Sequence, residues 1–303
     1  MGASARPYVS GNFAFQLDGL DCGMIQKLEG GNIQAEVVNL ANSAGYLQKK
    51  HLGPIKVNDF KMQMAGIQGG PLYQWIKSAL DMNHLYKNGA ILAKNFNQET
   101  ESIREFTDAL LTEIGLPAGD GAAKDPAYLS ISFAAQHVRT KPGDKAKDAG
   151  ALNVNQKRLL GSNFRLTVDR VKDACKRIAK FDALTVKMGV QRDDIGDARE
   201  MELVPGKIDV PNLSFQLAEV DSKAIYDWHE DFVIKGNCGE ESETTAELSY
   251  YSQDFSKELV RVTMKNIGIF NVTSDASEDH KDAIKRCKVE CYMESLEIDF
   301  PGA

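Results

Sequence analysis

The sequence predicts a mainly β protein: two tandem small antiparallel β-barrel or sandwich domains, each with one flanking α-helix and one long β-hairpin. Three observations carry this: an ordered set of segments that occurs twice, alternating apolar runs between turn residues, and one amphipathic helix per half. Asn12-Phe13 opens a run in which Phe13, Phe15 and Leu17 alternate before Asp18, and Asn163-Phe164 opens another with Phe164, Leu166 and Val168 before Asp169, 151 positions later. Gly53-Pro54-Ile55-Lys56-Val57 leads to Leu72-Tyr73-Gln74-Trp75, as Gly206-Lys207-Ile208-Asp209-Val210 leads to Ile225-Tyr226-Asp227-Trp228, 153 positions on. Each copy closes on a strand-like run and a Pro-Gly pair, Pro142-Gly143 and Pro301-Gly302. Units of this length are whole domains, since solenoid repeats run about 20 to 50 residues. The expected division is residues 1–140, a polar linker 141–161, and a diverged second domain 162–303.

Within the first copy, residues 12–17 and 32–40 read as strands, because Phe13, Phe15, Leu17 and then Ile33, Ala35, Val37 fall two apart. Ala41 to Gly45 supplies turn residues, and the chain returns through Ile55, Val57, Met62 and Met64, giving a long hairpin. The second hairpin rises through 183–188 and returns through 208–217. The two tips differ in charge: Lys49-Lys50-His51 sits in one, Arg192-Asp193-Asp194 with Asp197 in the other. A helix starts at Gly69-Gly70-Pro71, where an early proline loses no hydrogen bond. Leu72, Trp75, Ile76, Ala79 and Leu80 make its apolar stripe, and Ile225, Trp228, Phe232 and Val233 make the matching one. Strands follow at 104–114 and 129–135, and the closing run of copy two is Cys287, Val289, Cys291, Met293, then Leu296, Ile298, Phe300. The change of phase after Met293 is what a β-bulge requires.

Composition narrows the function. The 303 residues suit two domains of ordinary size. No apolar stretch reaches the roughly 18 residues of a membrane span, and residues 1–10 lack the regions of a signal peptide, so a start in the cytoplasm is expected. Five cysteines without paired spacing point to reduced thiols. With 43 acidic against 36 basic residues, a net charge of −7 argues against tight contact with nucleic acid phosphates and lets a polyanion slide past.

The chemical motifs are weak. Ala41-x-Ser43-x-Gly45 lacks the first glycine of a hydrolase elbow and is explained by a hairpin tip. Cys287 and Cys291 share a strand face without further ligands, which reads as core rather than zinc. Asp193, Asp194 and Asp197 lack the spaced oxygens and glycine of a calcium loop. Gly119-Asp120-Gly121 reads as a turn, the five histidines are scattered, and Trp75 and Trp228 read as core. No catalytic residue, metal site or cofactor is expected.

In order, Gly11-Asn12-Phe13 through Leu17-Asp18-Gly19-Leu20, His51-Leu52-Gly53-Pro54-Ile55-Lys56-Val57, Leu72-Tyr73-Gln74-Trp75-Ile76, Ile114-Gly115-Leu116-Pro117 and Lys124-Asp125-Pro126-Ala127-Tyr128-Leu129-Ser130-Ile131-Ser132-Phe133 resemble the tail tube proteins of contractile phages and related contractile injection systems. The likeness runs from residue 11 to about 140. It implies a small β-barrel with a flanking helix, subunits joined strand to strand in a sixfold ring, and rings stacked into a hollow tube inside a contractile sheath. It further implies no enzymatic activity, and passage of DNA or protein cargo through the lumen without specific binding. The implied partners are the chain itself, the sheath protein, and baseplate, tape-measure and terminator proteins, with no membrane. The mature setting would be a virion tail or injection particle, after assembly in the producing cell's cytoplasm. Expected intersubunit contacts are the hairpin tips, at Ser43, Tyr46, Lys49, Lys50, His51, Arg192, Asp193, Asp194 and Asp197. Two domains per chain allow three chains or six per ring. They also fit a trimeric baseplate hub or tube initiator. A DNA clamp, another acidic ring of repeated domains, would need basic helices, and the helix after Leu72 offers only Lys77.

Overall fold

Buried and exposed side chains alternate along the central strands, and that alternation curls two sheets around apolar interiors. The computed structural model describes residues 12–40, 48–64, 70–146, 159–196, 198–275 and 284–301. The first part contains β1 (Asn12–Leu17), β2 (Leu20–Glu29), β3 (Ile33–Leu40), β4 (Lys49–Val57), β5 (Phe60–Met64), α1 (Gly70–Leu80), β6 (Lys87–Lys94), β7 (Thr100–Leu116), β8 (Gly119–Asp120), β9 (Pro126–Ala127) and β10 (Leu129–Pro142). Strands β10, β5, β2, β1, β6 and β7 pair in that order, and β7 pairs back onto β10. Six strands therefore close into a barrel. Phe15, Phe60, Phe106 and Phe133 meet inside it, with Phe60 and Phe133 stacked at 4.7 Å between ring centroids.

The second part contains β11 (Leu159–Leu160), β12 (Phe164–Val168), α2 (Lys172–Cys175), β13 (Ile178–Phe181), β14 (Leu184–Asp193), β15 (Glu202–Asp209), β16 (Leu213–Ala218), α3 (Lys223–His229), β17 (Thr244–Tyr251), β18 (Glu258–Ser274), β19 (Arg286–Tyr292) and β20 (Ser295–Asp299). Here β12, β17, β18, β19, β16 and β13 pair in order, with β20 also on β18. A 3₁₀ turn at Asp169–Val171 and helix α2 stand where the first barrel has only the Asp18-Gly19 turn. The second ring of strands consequently stays open between β12 and β13.

Pairing registers repeat from one barrel to the other. The β2–β5 irregularity between Ile25 and Lys27 recurs between Ile178 and Lys180 in β13–β16. The β3–β4 irregularity between Ala35 and Val37 recurs between Met188 and Val190 in β14–β15. Asp108 in β7 and Asn266 in β18 occupy matching bulges, at φ 52° and 53°, a left-handed conformation that Asp and Asn tolerate best after glycine. Since every bulge re-aims the residues beyond it, shared bulges keep the same positions facing inward in both barrels. The occupants differ in size: Phe60 and Met62 stand where Leu213 and Phe215 stand in the second barrel.

Several elements depart from the sequence reading. The second hairpin's return stops at Asp209, and 210–212 separates β15 from β16. After α3 the chain makes a π-helical turn, Glu230–Ile234, so the stripe rotates and Val233 is exposed while Phe232 stays buried. Gly119-Asp120 forms strand β8, with the turn at the next two residues. Strands β2, β6, β17 and β18 were not anticipated. Lys141 and Pro142, assigned to the linker, continue β10, and Gly143 and Lys145 bond back to Glu101 and Thr100. Residues 147–158 of that linker lie outside the described residues. The sheets also cross the expected domain division, because β14 and β15 pair onto the first barrel.

Each helix is pinned by its tryptophan. Trp75 is buried, lies 5.8 Å from the Phe133 ring, and donates its indole N–H to the Leu85 carbonyl at 2.9 Å. Trp228 is equally buried, edge-on to Phe232 at 6.4 Å. Urea unfolding of Trp75→Ala and Trp228→Ala should each show a loss of about 3–5 kcal/mol; an unchanged midpoint would remove the helices from the barrels' stability.

Candidate assembly surfaces

The two barrels are joined by antiparallel ladders, β7 with β14, β8 with β13 and, in a short separate pair, β9 with β11. Glu113, Ile114, Gly115 and Leu116 of β7 pair with Lys187, Val186, Thr185 and Leu184 of β14. Past Pro117, Gly119 and Asp120 of β8 pair with Phe181 and Lys180 of β13 in the same register. Ile114, Leu116, Phe181, Leu184 and Val186 are all buried, so the apolar core runs continuously across the junction. Gly119 is needed there, because a Cβ on it would stand 2.0 Å from the Phe181 ring. Proline cannot donate to the ladder, but its carbonyl accepts a 2.6 Å hydrogen bond from Tyr250 of the second barrel. Burial raises that phenol's pKa and keeps it a donor. On another side of the junction Tyr73 of α1 donates to Asp299 at 3.0 Å and stands edge-on to Phe300 at 5.4 Å.

A polar clamp fixes the second hairpin to the first barrel. Glu200, just before β15, accepts from Arg139 of β10 at 2.8 Å and also bonds His137. Arg192 near the end of β14 pairs with Asp59, and the Tyr86 hydroxyl donates to the Leu203 carbonyl at 2.7 Å. Arg199 and Glu200 also meet Ile55 of β4, so the two hairpins lie side by side.

The first hairpin differs from the second in what covers it. By register, Ile33 and Ala35 occupy the places of Val186 and Met188. Val186 is fully buried and Met188 is 3% exposed, whereas Ile33 is 47% exposed. Val37, Val38, Leu40 and Leu52 of the same hairpin are exposed too. Among the described residues β3 pairs with β4 alone, which leaves its outer edge bare. The opposite end of the chain has a matching bare edge. Asn271–Ser274 of β18 corresponds to Glu113–Leu116 of β7, yet among the described residues pairs only with β19, and Thr273 and Ser274 are exposed where Gly115 and Leu116 are buried.

Of the contact residues expected from sequence, Lys49, Lys50 and His51 lie exposed on β4, paired with Leu40, Asn39 and Val38. Asp193 and Asp194 are exposed at the end of β14, while Arg192 is engaged by Asp59. Ser43, Tyr46 and Asp197 lie outside the described residues, as does the Ser43 elbow. The junction residues were missed as contacts, although the even Leu184, Val186, Met188 alternation was their signal. Cys287 and Cys291 are buried free thiols, and burial pushes the Cys22 and Cys175 thiols up to about 11. No group of three His, Cys, Asp or Glu side chains among the described residues is arranged to hold a metal ion, and no described helix is long and apolar enough to cross a membrane.

No protein-family model matches the sequence, and no curated protein matches it. Solved structures similar to the chain include the sheath–tube complex of an extracellular contractile injection system in its extended state, at 18% identity and a TM-score of 0.40, covering 45% of this chain and 92% of that one. The tube-terminating cap of the anti-feeding prophage is similar at 17% identity and a TM-score of 0.43, over 50% of this chain and 99% of that one. An Hcp protein is similar at 10% identity and a TM-score of 0.26, over 64% of this chain and 93% of that one.

The Glu200 clamp predicts a pH dependence. Burial alone would raise its pKa, but hydrogen bonds and charge from Arg139 and His137 outweigh it and hold the carboxyl below its ordinary 4.5. A depressed acid contributes stability above its unfolded value, and that contribution is lost as pH falls through the folded one. Hydrogen exchange across 190–203 should therefore accelerate as pH drops below about 4.5 relative to the intrinsic rate, whereas Glu200→Gln should exchange faster at neutral pH and lose that step.

Proposed function

We infer that the protein is a structural subunit of the inner tube of a contractile phage tail or contractile injection system, in which each chain supplies two neighbouring segments of a ring. The observation that carries this reading is the internal ladder: two barrels of the same pairing register stand side by side, joined edge to edge. Two such barrels with one shared orientation rule form an arc, and an arc with complementary ends extends head to tail. The tandem arrangement arose by duplication of one tube-like domain, consistent with the shared bulges. The sequence resemblance to tail tube proteins supports the same reading and supplies the ring size. Six barrels are then contributed by three chains in a pseudo-sixfold ring.

The work of such a subunit is geometric rather than enzymatic. The hydrophobic junction makes the ring wall rigid, and the acidic balance of the chain disfavours capture of a polyanion in the lumen. Cargo would be DNA or protein, the outer face would meet a sheath, and the ends would meet baseplate and terminator proteins. Assembly would start in the cytoplasm of the producing cell.

Electron microscopy of the purified full chain tests this directly. End-on averages should show hollow rings of six densities with threefold chemistry, stacked into tubes. Threefold rings that never stack would favour the baseplate hub, and persistent monomers would overturn both. Deleting residues 43–49 should leave the circular dichroism of the barrels intact while stopping tube growth; tubes of normal length from that deletion would exclude the first hairpin tip from stacking.

A further inference from the structure

We propose that neighbouring chains join by repeating the internal ladder, with β3 of one chain adding to the bare end of β18 of the next: Asn32 opposite Thr273, Ile33 opposite Val272 and Gln34 opposite Asn271. This deepens the ring reading above and rests on it. The register is not free. Val186 pairs with Ile114 and Lys187 with Glu113 inside the chain. Hairpin register equates Ile33 with Val186, because the bulge after Ala35 falls where the bulge after Met188 falls. Bulge position equates Val272 with Ile114, because Asn266 holds the place of Asp108 and β18 meets β19 as β7 meets β10. Combining the two correspondences gives one register and no other.

Burial agrees with it. A strand pair one residue out of step turns every side chain to the wrong face. In the proposed register Ile33 and Val272 point together into the core side, as Val186 and Ile114 do, and Gln34 and Asn271 point together outward. The occupant is a second copy of this chain, because the donor hairpin and acceptor edge are already seen joined in their second-barrel and first-barrel versions. Gly30 and Gly31, at φ +82° and +66°, end the extended run, so pairing begins at Asn32. A Cβ on Gly31 would meet the Phe60 ring at 2.1 Å, which fixes where β3 leaves the barrel.

A second contact follows from the same correspondence. Inside the chain Tyr73 of α1 packs on Asp299 and Phe300. Tyr226 of α3 holds the place of Tyr73, and Lys141-Pro142 of β10 hold the place of Asp299-Phe300. Tyr226 is 38% exposed and both Lys141 and Pro142 are exposed, so this contact too is made with the next chain.

The test is a disulfide trap in the full chain, with the exposed Cys238 changed to serine and Gln34→Cys combined with Asn271→Cys. Mild oxidation should give bands at two and three chain masses on a non-reducing gel, reversed by reductant. Gln34→Cys with Phe270→Cys, one residue out of register, should give at least tenfold less. Ile33→Asp, exposed in the single chain, should keep the circular dichroism spectrum and lose association by at least tenfold. Rings by electron microscopy with no Gln34–Asn271 cross-link, or with the out-of-register pair preferred, would overturn this contact and leave the ring reading standing. A cross-link in correct register on open chains without rings would keep the contact and overturn the ring. Chains that neither cross-link nor associate would overturn both.

Discussion

Backbone N–H and C=O groups along the edge of a strand must find partners, and nearly everything distinctive about this chain follows from how its edges are filled. The first barrel hides its edges by closing, because β10 reaches both β5 and β7. Yet β7 is longer than β6, so its last residues protrude past the closed ring with one side open. That overhang is what β14 covers. The second barrel has the same overhang on β18, and among the described residues only β19 pairs with it. An edge of this kind is an aggregation hazard unless a defined partner takes it. Apolar side chains are thus buried at one of two like junctions and exposed at the other.

The contacts that distinguish this chain lie along the seam between its barrels. The junction obtains its stiffness from Ile114, Leu116, Leu184 and Val186, and its orientation from directional contacts that include Tyr250 to Pro117, Tyr73 to Asp299, Arg139 to Glu200, Arg192 to Asp59 and Tyr86 to Leu203. Apolar burial supplies most of the free energy and none of the angle. Hydrogen bonds to backbone and carboxylate groups supply the angle. Polar groups therefore sit around an otherwise oily seam.

Much of the fold was legible in the sequence, and the exceptions have physical causes. The runs at Phe13–Leu17, Leu129–Ala135 and Cys287–Phe300 were readable because one face is buried and the other is not. Strands β6 and β2 were not, because Lys87–Lys94 and Leu20–Glu29 contain glycine and polar residues that pair through backbone rather than through side-chain pattern. The π-helical turn after α3 adds a residue to the helical period, which no 3.6-residue count can foresee. The interweaving of the two halves escaped for a different reason. Periodicity marks Val186 as facing a core, but it cannot say whose core. The exposed charges at Lys49-Lys50-His51 and Asp193-Asp194 were legible, and the seam that joins the barrels was legible only as alternation without an address.

The two like hairpins also differ in their place along the chain. The β7 overhang is complete in the chain before β14–β15 follows, and β3–β4, a hairpin of the same register, already precedes it. Two features set the first hairpin apart: Gly30-Gly31, at positive φ, break the extended run before it, and the small Ala35 stands where the second hairpin offers Met188. The two hairpins therefore offer a like edge different amounts of apolar surface to bury.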